Sequence, residues 1–269
     1  MMVCNDFDPR KIEIMLPGSN PVLDKNTQAR LARFENYRDE GRTVPDFQVA
    51  WTSEDLSLVV RTCEYLRDHL PASAFRLETI PGFQIFPEPD CLAIGATGPV
   101  CGSYYAIRPG PVGLFGAHEL SDWEEEVVGS GAYSRFEDAL KEIVFDWLLS
   151  IGRVLDCDVL SSGMCPGGLD MQPYNWNVHK SLYKPEQQRY LEETSLAFID
   201  SRGLPRTREN INKYITHDWT IFRSTVNDDA WFIGYDAPYF KNLAHGLNVD
   251  IFTFMDKVAV AIAERKKER

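Results

Sequence analysis

The chain has 269 residues, 44% of them hydrophobic and 25% charged, which is ordinary globular usage and enough to bury a sizeable core. No apolar run reaches the roughly 20 residues that a membrane-spanning helix needs, and the acidic start Met1-Met2-Val3-Cys4-Asn5-Asp6-Phe7-Asp8 lacks the basic and apolar regions of a signal peptide. The net charge of −12 disfavours nucleic acid and anionic membrane as partners, so the expectation is a soluble cytoplasmic protein that meets other proteins.

Residues 1–24 read as irregular, with Pro9, Pro17-Gly18 and Pro21 as breakers. A short helix is predicted over about 26–40, ending at Gly41. A second follows Trp51, capped by Ser53. Its Leu56, Val59, Val60, Cys63 and Leu66 repeat at helical spacing until Pro71 stops it. Phe75–Ile80 alternates apolar and polar side chains as a half-buried strand does, and Pro81-Gly82 turns the chain into a strand at Phe83–Phe86.

From Cys91 the pattern is denser. Cys91-Leu-Ala-Ile-Gly95 leads into a glycine-rich turn, Ser103-Tyr-Tyr-Ala-Ile-Arg108 into a Pro-Gly-Pro turn, and Val112-Gly-Leu-Phe115 into an acidic loop. Turns this short leave no room for a crossover helix, so the three strands form an antiparallel meander. A helix over 135–151 comes next. Ser134 and Glu137 suit a capping box, Phe136, Ala139, Leu140, Ile143, Val144, Trp147, Leu148 and Ile151 mark one apolar face, and Gly152 supplies the stop.

Residues 156–184 are rich in Gly, Pro, Ser and Asn and read as a loop or linker. Beyond them the pattern predicts a short helix opening at Pro185, a strand at Ser195–Ile199 and a helix near Thr207–Tyr214. Strands at Trp219–Arg223 and Trp231–Tyr235 follow, joined by Asn227-Asp228-Asp229, and then a helix over 250–264 with Ile251, Phe254, Met255, Val258 and Ile262 on its apolar face. The fold class is thus α+β: an antiparallel meander flanked by helices, with a C-terminal α+β extension. The division is 1–155, a linker at 156–184, and 185–269.

The six cysteines (4, 63, 91, 101, 157 and 165) form no Cys-x-x-Cys pair and read as reduced thiols, with Cys63 and Cys91 as small buried hydrophobes. Cys101-Gly102-Ser103-Tyr104-Tyr105 resembles a cysteine-protease sequence but carries Tyr104 where the nucleophile belongs, so a turn entering a strand is the plainer account. Gly129-Ser130-Gly131 is no nucleophile elbow. Glycines 95, 98 and 102 lack the Lys-Ser/Thr of a phosphate loop. His69, His118, His179, His217 and His245 show no i, i+4 pairing. Cys157, Cys165 and His179 lie at no known zinc-finger spacing. Trp219, Trp231, Tyr235 and Tyr239 could form a stacking surface, although aromatic residues in short strands are ordinarily core. No catalytic, cofactor-binding or metal-ligating set is assigned.

Charge placement is more informative. Residues 170–269 contain 14 acids and 14 bases, so the excess lies before them. Residues 119–146 hold nine acids against Arg135 and Lys141. Glu119, Asp122, Glu124, Glu125 and Glu126 crowd into eight residues with no base, which marks either a solvated face or a surface for a basic partner. Glu124-Glu125-Glu126 could also serve hydrolytic chemistry, but a run of acids is ordinarily exposed charge.

Ile94-Gly95, Gly102-Ser-Tyr104-Tyr105, Val112-Gly-Leu-Phe115, His118-Glu119 and Ser134-Arg-Phe136-Glu137 occur in an order that resembles the SUKH superfamily, most tightly over 91–147. The resemblance implies a small α+β domain that binds rather than catalyses. Many members are immunity proteins that neutralise a cognate bacterial toxin by direct contact, and others are regulatory protein-interaction modules. The acidic residues at 119, 122, 124, 125 and 126 are then the candidate partner-binding set, facing a cognate toxin or another basic protein. The alternative from the residues alone is a hydrolase with its site between the two halves.

Overall fold

A computed structural model describes residues 11–28, 47–69, 82–97, 104–120, 125–127, 132–144, 176–215 and 250–256. Six strands make one sheet in the order of the chain: β1 (Ile12–Ile14), β2 (Gly82–Glu88), β3 (Cys91–Thr97), β4 (Tyr104–Pro109), β5 (Phe115–Leu120) and β6 (Glu125–Val127). β1 runs parallel to β2, and every later pair is antiparallel. The architecture is α+β with a mostly antiparallel sheet. Among the described residues, no helix is long and apolar enough to cross a membrane.

β3 and β4 are continuous apolar runs because both faces of the sheet are covered. On one face Phe83, Ile85, Leu92, Ile94, Tyr105, Ile107 and Ala117 pack under the helices. On the other, Phe86, Cys91, Ala93, Ala106 and Leu120 join Val22 and Leu23 from the helix α1 (21–28). The first face carries the main core. Its covering helices are α2 (Ser53–His69), through Val59, Cys63 and Leu66, and α3 (136–144), through Phe136, Ala139, Leu140, Ile143 and Val144. The helix α7 (251–256) adds Ile251, Phe254 and Met255 to the same cluster. Each large aliphatic or aromatic side chain among them contributes about 1.5–3 kcal/mol by leaving water, so segments far apart in sequence share one core.

Several sequence expectations are corrected. Residues 12–14 and 21–28 are regular rather than irregular. Pro21 opens α1 instead of breaking the chain, since proline suits the first helical position, and Asn20 Oδ1 accepts from the amides of Val22 (2.9 Å) and Leu23 (3.3 Å). α1 therefore starts ahead of the expected residue 26. The cap of α2 is Thr52, not Ser53: Thr52 Oγ1 accepts from Asp55 N at 3.1 Å, and Asp55 Oδ2 accepts from Thr52 N at 3.0 Å. β3 runs past Gly95 to Thr97, so the glycine lies within the strand and not at its end.

The strand expected at Val112–Phe115 begins only at Phe115. Pro111–Gly113 instead form a tight turn in which Val112 (φ 49°) and Gly113 (φ 70°) are both left-handed. Gly110 N donates to Leu114 O at 2.8 Å and Leu114 N to Pro111 O at 3.0 Å, closing it.

The strand expected at Ser195–Ile199 is helix. α5 (Pro185–Ser201) buries Gln187, Leu191, Thr194, Ser195, Phe198 and Ile199, a helical stripe that a five-residue apolar window conceals. It stops at Gly203 (φ 63°), where Leu204 N reaches Ile199 O and Gly203 N reaches Asp200 O, each at 3.0 Å. That pattern is a Schellman motif. The end of the expected linker is also helical, with α4 (Trp176–His179) and a 3-10 turn (Lys180–Leu182). α6 (Arg208–Tyr214) appears where expected, capped by Thr207 Oγ1 accepting from Asn210 N at 3.2 Å. The expected strands at 75–80, 219–223 and 231–235 lie outside the described residues, as do Trp147 and Gly152.

Candidate functional site

The acidic segment is only partly a loop. β5 and β6 pair antiparallel with Glu119 opposite Glu126 and Leu120 opposite Glu125. Strand character was hidden because three residues, two of them glutamates, show no alternation. Charge nevertheless suits the outermost strand of a sheet, where it discourages pairing with a foreign strand. Glu119 is half-buried in β5. Asp122 and Glu124 lie outside the described residues. The structure thus brings Glu119, Glu125 and Glu126 of the expected set onto one end of the sheet. Like charges at facing positions of a strand pair oppose each other.

The end of the sheet is braced from two sides. Tyr133 bridges Phe115, with Phe115 N to Tyr133 O at 2.9 Å and Tyr133 N to Phe115 O at 2.7 Å, so the chain leaving β6 still flanks β5. The helical group α4–α6 docks at the β4–β5 turn through Leu114, Ala132, Trp176, Tyr183, Leu191 and Ile215. Tyr183 Oη donates to Ala132 O at 2.9 Å.

Gln187, fully buried, ties these pieces together. Its Nε2 donates to Val112 O (3.3 Å) and Gly113 O (3.0 Å), while its Oε1 accepts from Ser134 Oγ and from Lys184 N, each at 3.0 Å. Both donors and both acceptor positions of the amide are used. Sequence reasoning missed this residue. Pro185 followed by Gln187 is a helix-start pattern, but only the fold shows that the amide reaches across 74 and 75 residues to the turn.

The expected capping box of α3 does not form. Ser134 is spent on Gln187, and Glu137 Oε1 accepts the amide of Ile251 at 2.8 Å. α3 also carries a charged stripe. Arg135 grips Asp138 with Nε to Oδ2 at 2.8 Å and Nη2 to Oδ1 at 2.7 Å, and the buried Lys141 Nζ reaches Asp138 Oδ1 at 3.2 Å. The bond from Asp138 holds Arg135 above its ordinary basicity. Arg135 also lies 4.0 Å from Glu137 Oε2, so its charge is shared between two carboxylates of the first turn.

Among the described residues, Cys63, Cys91 and His118 are enclosed. Cys63 and Cys91 are buried and in no disulfide, and burial pushes the Cys63 thiol well above its ordinary pKa, which suppresses the reactive thiolate. His118 is fully enclosed in β5. Among the described residues no three His, Cys, Asp or Glu side chains are placed to hold a metal ion. A cavity of about 30 Å³ lies between Cys63 and Leu66 of α2, Phe83 and Ile94 of the sheet, and Ile143 of α3. It has room for little more than a water, and its walls are apolar.

Glu119, Glu125 and Glu126 thus stand in the β5–β6 pair at one end of the sheet, beside the Tyr133 bridge to Phe115. Cys101, Ser103, Cys157 and Cys165, and the aromatic residues at 219, 231, 235 and 239, lie outside the described residues. No protein-family model, no curated protein and no solved structure matches the chain.

Proposed function

We propose that the chain is a non-enzymatic binding protein of the immunity type, which neutralises a cognate bacterial toxin, or holds another basic protein, against the acidic β5–β6 end of its sheet. On this reading residues 1–155 form the SUKH-like domain, and Glu119, Asp122, Glu124, Glu125 and Glu126 are the contact set. The observation that supports it is the facing of Glu119 and Glu126 in register, with Glu125 adjacent. Acids so placed repel each other, and a cationic surface relieves that repulsion while speeding diffusional encounter.

The test is association kinetics with the product of a neighbouring toxin gene, at low and high salt, for the native chain and for the triple variant Glu119→Lys, Glu125→Lys, Glu126→Lys. The variant should associate more slowly and lose most of the salt dependence. Equal rates at low salt would place the interface elsewhere.

A further inference from the structure

The opposite end of the sheet has a different character. β1 is the outermost strand there among the described residues. Phe83 N donates to Lys11 O at 3.1 Å and Met15 N to Ile85 O at 2.7 Å, so the odd-numbered residues of β1 turn their backbone groups toward β2. In a parallel ladder the intervening residues then point theirs the other way. Ile12 and Ile14 thus present N–H and C=O groups to the side where none of the described strands pairs with them. The same segment carries two of the three large hydrophobic residues exposed among the described residues, Ile14 at 52% and Leu16 at 79%. An open ladder beside exposed apolar side chains is a template for another strand.

We infer that β1 is the seam of a homodimer in which two copies of the chain join edge to edge into one continuous sheet. The edge is complementary to itself under a two-fold axis. Antiparallel pairing centred on Ile14 sets Ile14 against Ile14 of the second copy and Ile12 against Leu16 of the second copy. Ile12 and Ile14 both turn their backbone groups outward; Leu16 O already accepts from Ser19 N and Ser19 Oγ, so the Ile12–Leu16 pair is made through Leu16 N alone and the Ile14 pair carries the seam. This register also lays the exposed apolar side chains against one another on one side of the new sheet.

Charge placement does not oppose a second copy in spite of the net charge of −12. β1 and the acidic β6 are separated by five strand spacings, about 24 Å. That distance is well beyond the screening length of about 8 Å at physiological salt. Joining two chains at β1 puts their acidic ends at the two far edges of the combined sheet. Near the seam, Lys11 and Glu13 form an ion pair and leave little net charge. Because β1 is only three residues long, association should be concentration-dependent rather than obligate.

Sedimentation velocity on the full chain tests this. The native protein should shift with concentration from the 30.7 kDa of one chain toward twice that mass. Leu16→Lys, alone and with Ile14→Lys, should hold it at one chain with an unchanged circular dichroism spectrum. Leu16 lies outside the β1 ladder, so the single variant remains informative if the double variant fails to fold. A native protein that stays at the mass of one chain at every attainable concentration overturns the inference. So does a dimer that survives Leu16→Lys, or one dissolved by Glu125→Lys with Glu126→Lys instead.

Discussion

Glu137 Oε1 accepts the main-chain N–H of Ile251 at 2.8 Å, so the first turn of α3 caps α7 across 114 positions of the chain. Asp250 completes the cap, its Oδ1 accepting from Phe252 N and Thr253 N at 3.0 Å each. Three amides that a helix leaves without intrahelical partners are thereby satisfied. Glu137→Ala should cost about 1–2 kcal/mol, the usual worth of a lost cap. It should also speed hydrogen exchange at Ile251 more than at the sheet amides. A urea midpoint identical to the native one would mean that Glu137 does not hold α7.

Gln187→Leu removes an amide that serves four groups, leaving Val112 O, Gly113 O, Ser134 Oγ and Lys184 N to find other partners. The expected loss is about 2–4 kcal/mol in chemical denaturation, since orphaned buried polar groups each cost about 1–3 kcal/mol and some regain water. Gln187→Glu should be harmful at neutral pH, where a carboxylate cannot donate to two carbonyls. It should recover as the pH is lowered and the acid regains a donor. A pH-independent deficit would argue against the assigned bonds to the turn.

Val112 sits at φ 49° with 42% of its surface exposed. A left-handed conformation costs an L-residue about 1–2 kcal/mol, and a β-branched side chain suffers more than most. Asn tolerates that region and has little to lose at an exposed position. Val112→Asn should therefore raise the thermal midpoint, with a gain of about 1 kcal/mol. An unchanged or lowered midpoint would show that the valine contributes a contact outweighing the strain.

Gly95 faces Tyr104 across β3 and β4, and a Cβ added there would lie 2.5 Å from Tyr104 Cε1. The ring covers the glycine and fills the space that a side chain would take. Gly95→Ala should cost about 1–3 kcal/mol, as overpacking does. In a Tyr104→Ala background most of that cost should vanish, which a double-mutant cycle by urea denaturation reads directly. Simple additivity would remove the ring as the cause.

Asp250 is held below its ordinary carboxylate pKa, chiefly by the Thr253 hydroxyl and then by the Thr253 amide. A carboxyl depressed in the folded state adds stability above the unfolded value of about 3.9, and that stability is lost as the pH falls through the lower folded value. Asp250→Asn keeps an acceptor but cannot ionise. The native chain should be the more stable at neutral pH and the difference should close as the pH falls below about 4. A gap between the two denaturation midpoints that stays constant with pH would exclude this linkage.

Local signals in the chain were enough for the elements whose neighbours do not matter to them. The face of α2 through Val59, Cys63 and Leu66, the apolar side of α3, the helix near Thr207–Tyr214 and the strands β2 to β4 follow from periodicity and turn residues within a few positions. Gly203 with Pro205 after it is a local helix stop too, and weighing it would have extended the helix from Pro185 through the apolar run at 195–199.

Other features depend on partners distant in sequence, and only the tertiary structure decided them. Ser134 and Glu137 read as each other's caps because they stand three residues apart. In the fold, Ser134 meets Gln187 and Glu137 meets Ile251. The left-handed Val112 opposes its own residue preference, and the carbonyl it presents is held by an amide 75 positions away. The acids at 119, 125 and 126 showed as a cluster in the sequence, but their facing register depends on β6 pairing with β5. Composition and period determine which residues leave water. Which of several equally apolar or polar surfaces meet is set by the packing of the whole chain, because a hydrogen bond or a core contact has no fixed sequence separation.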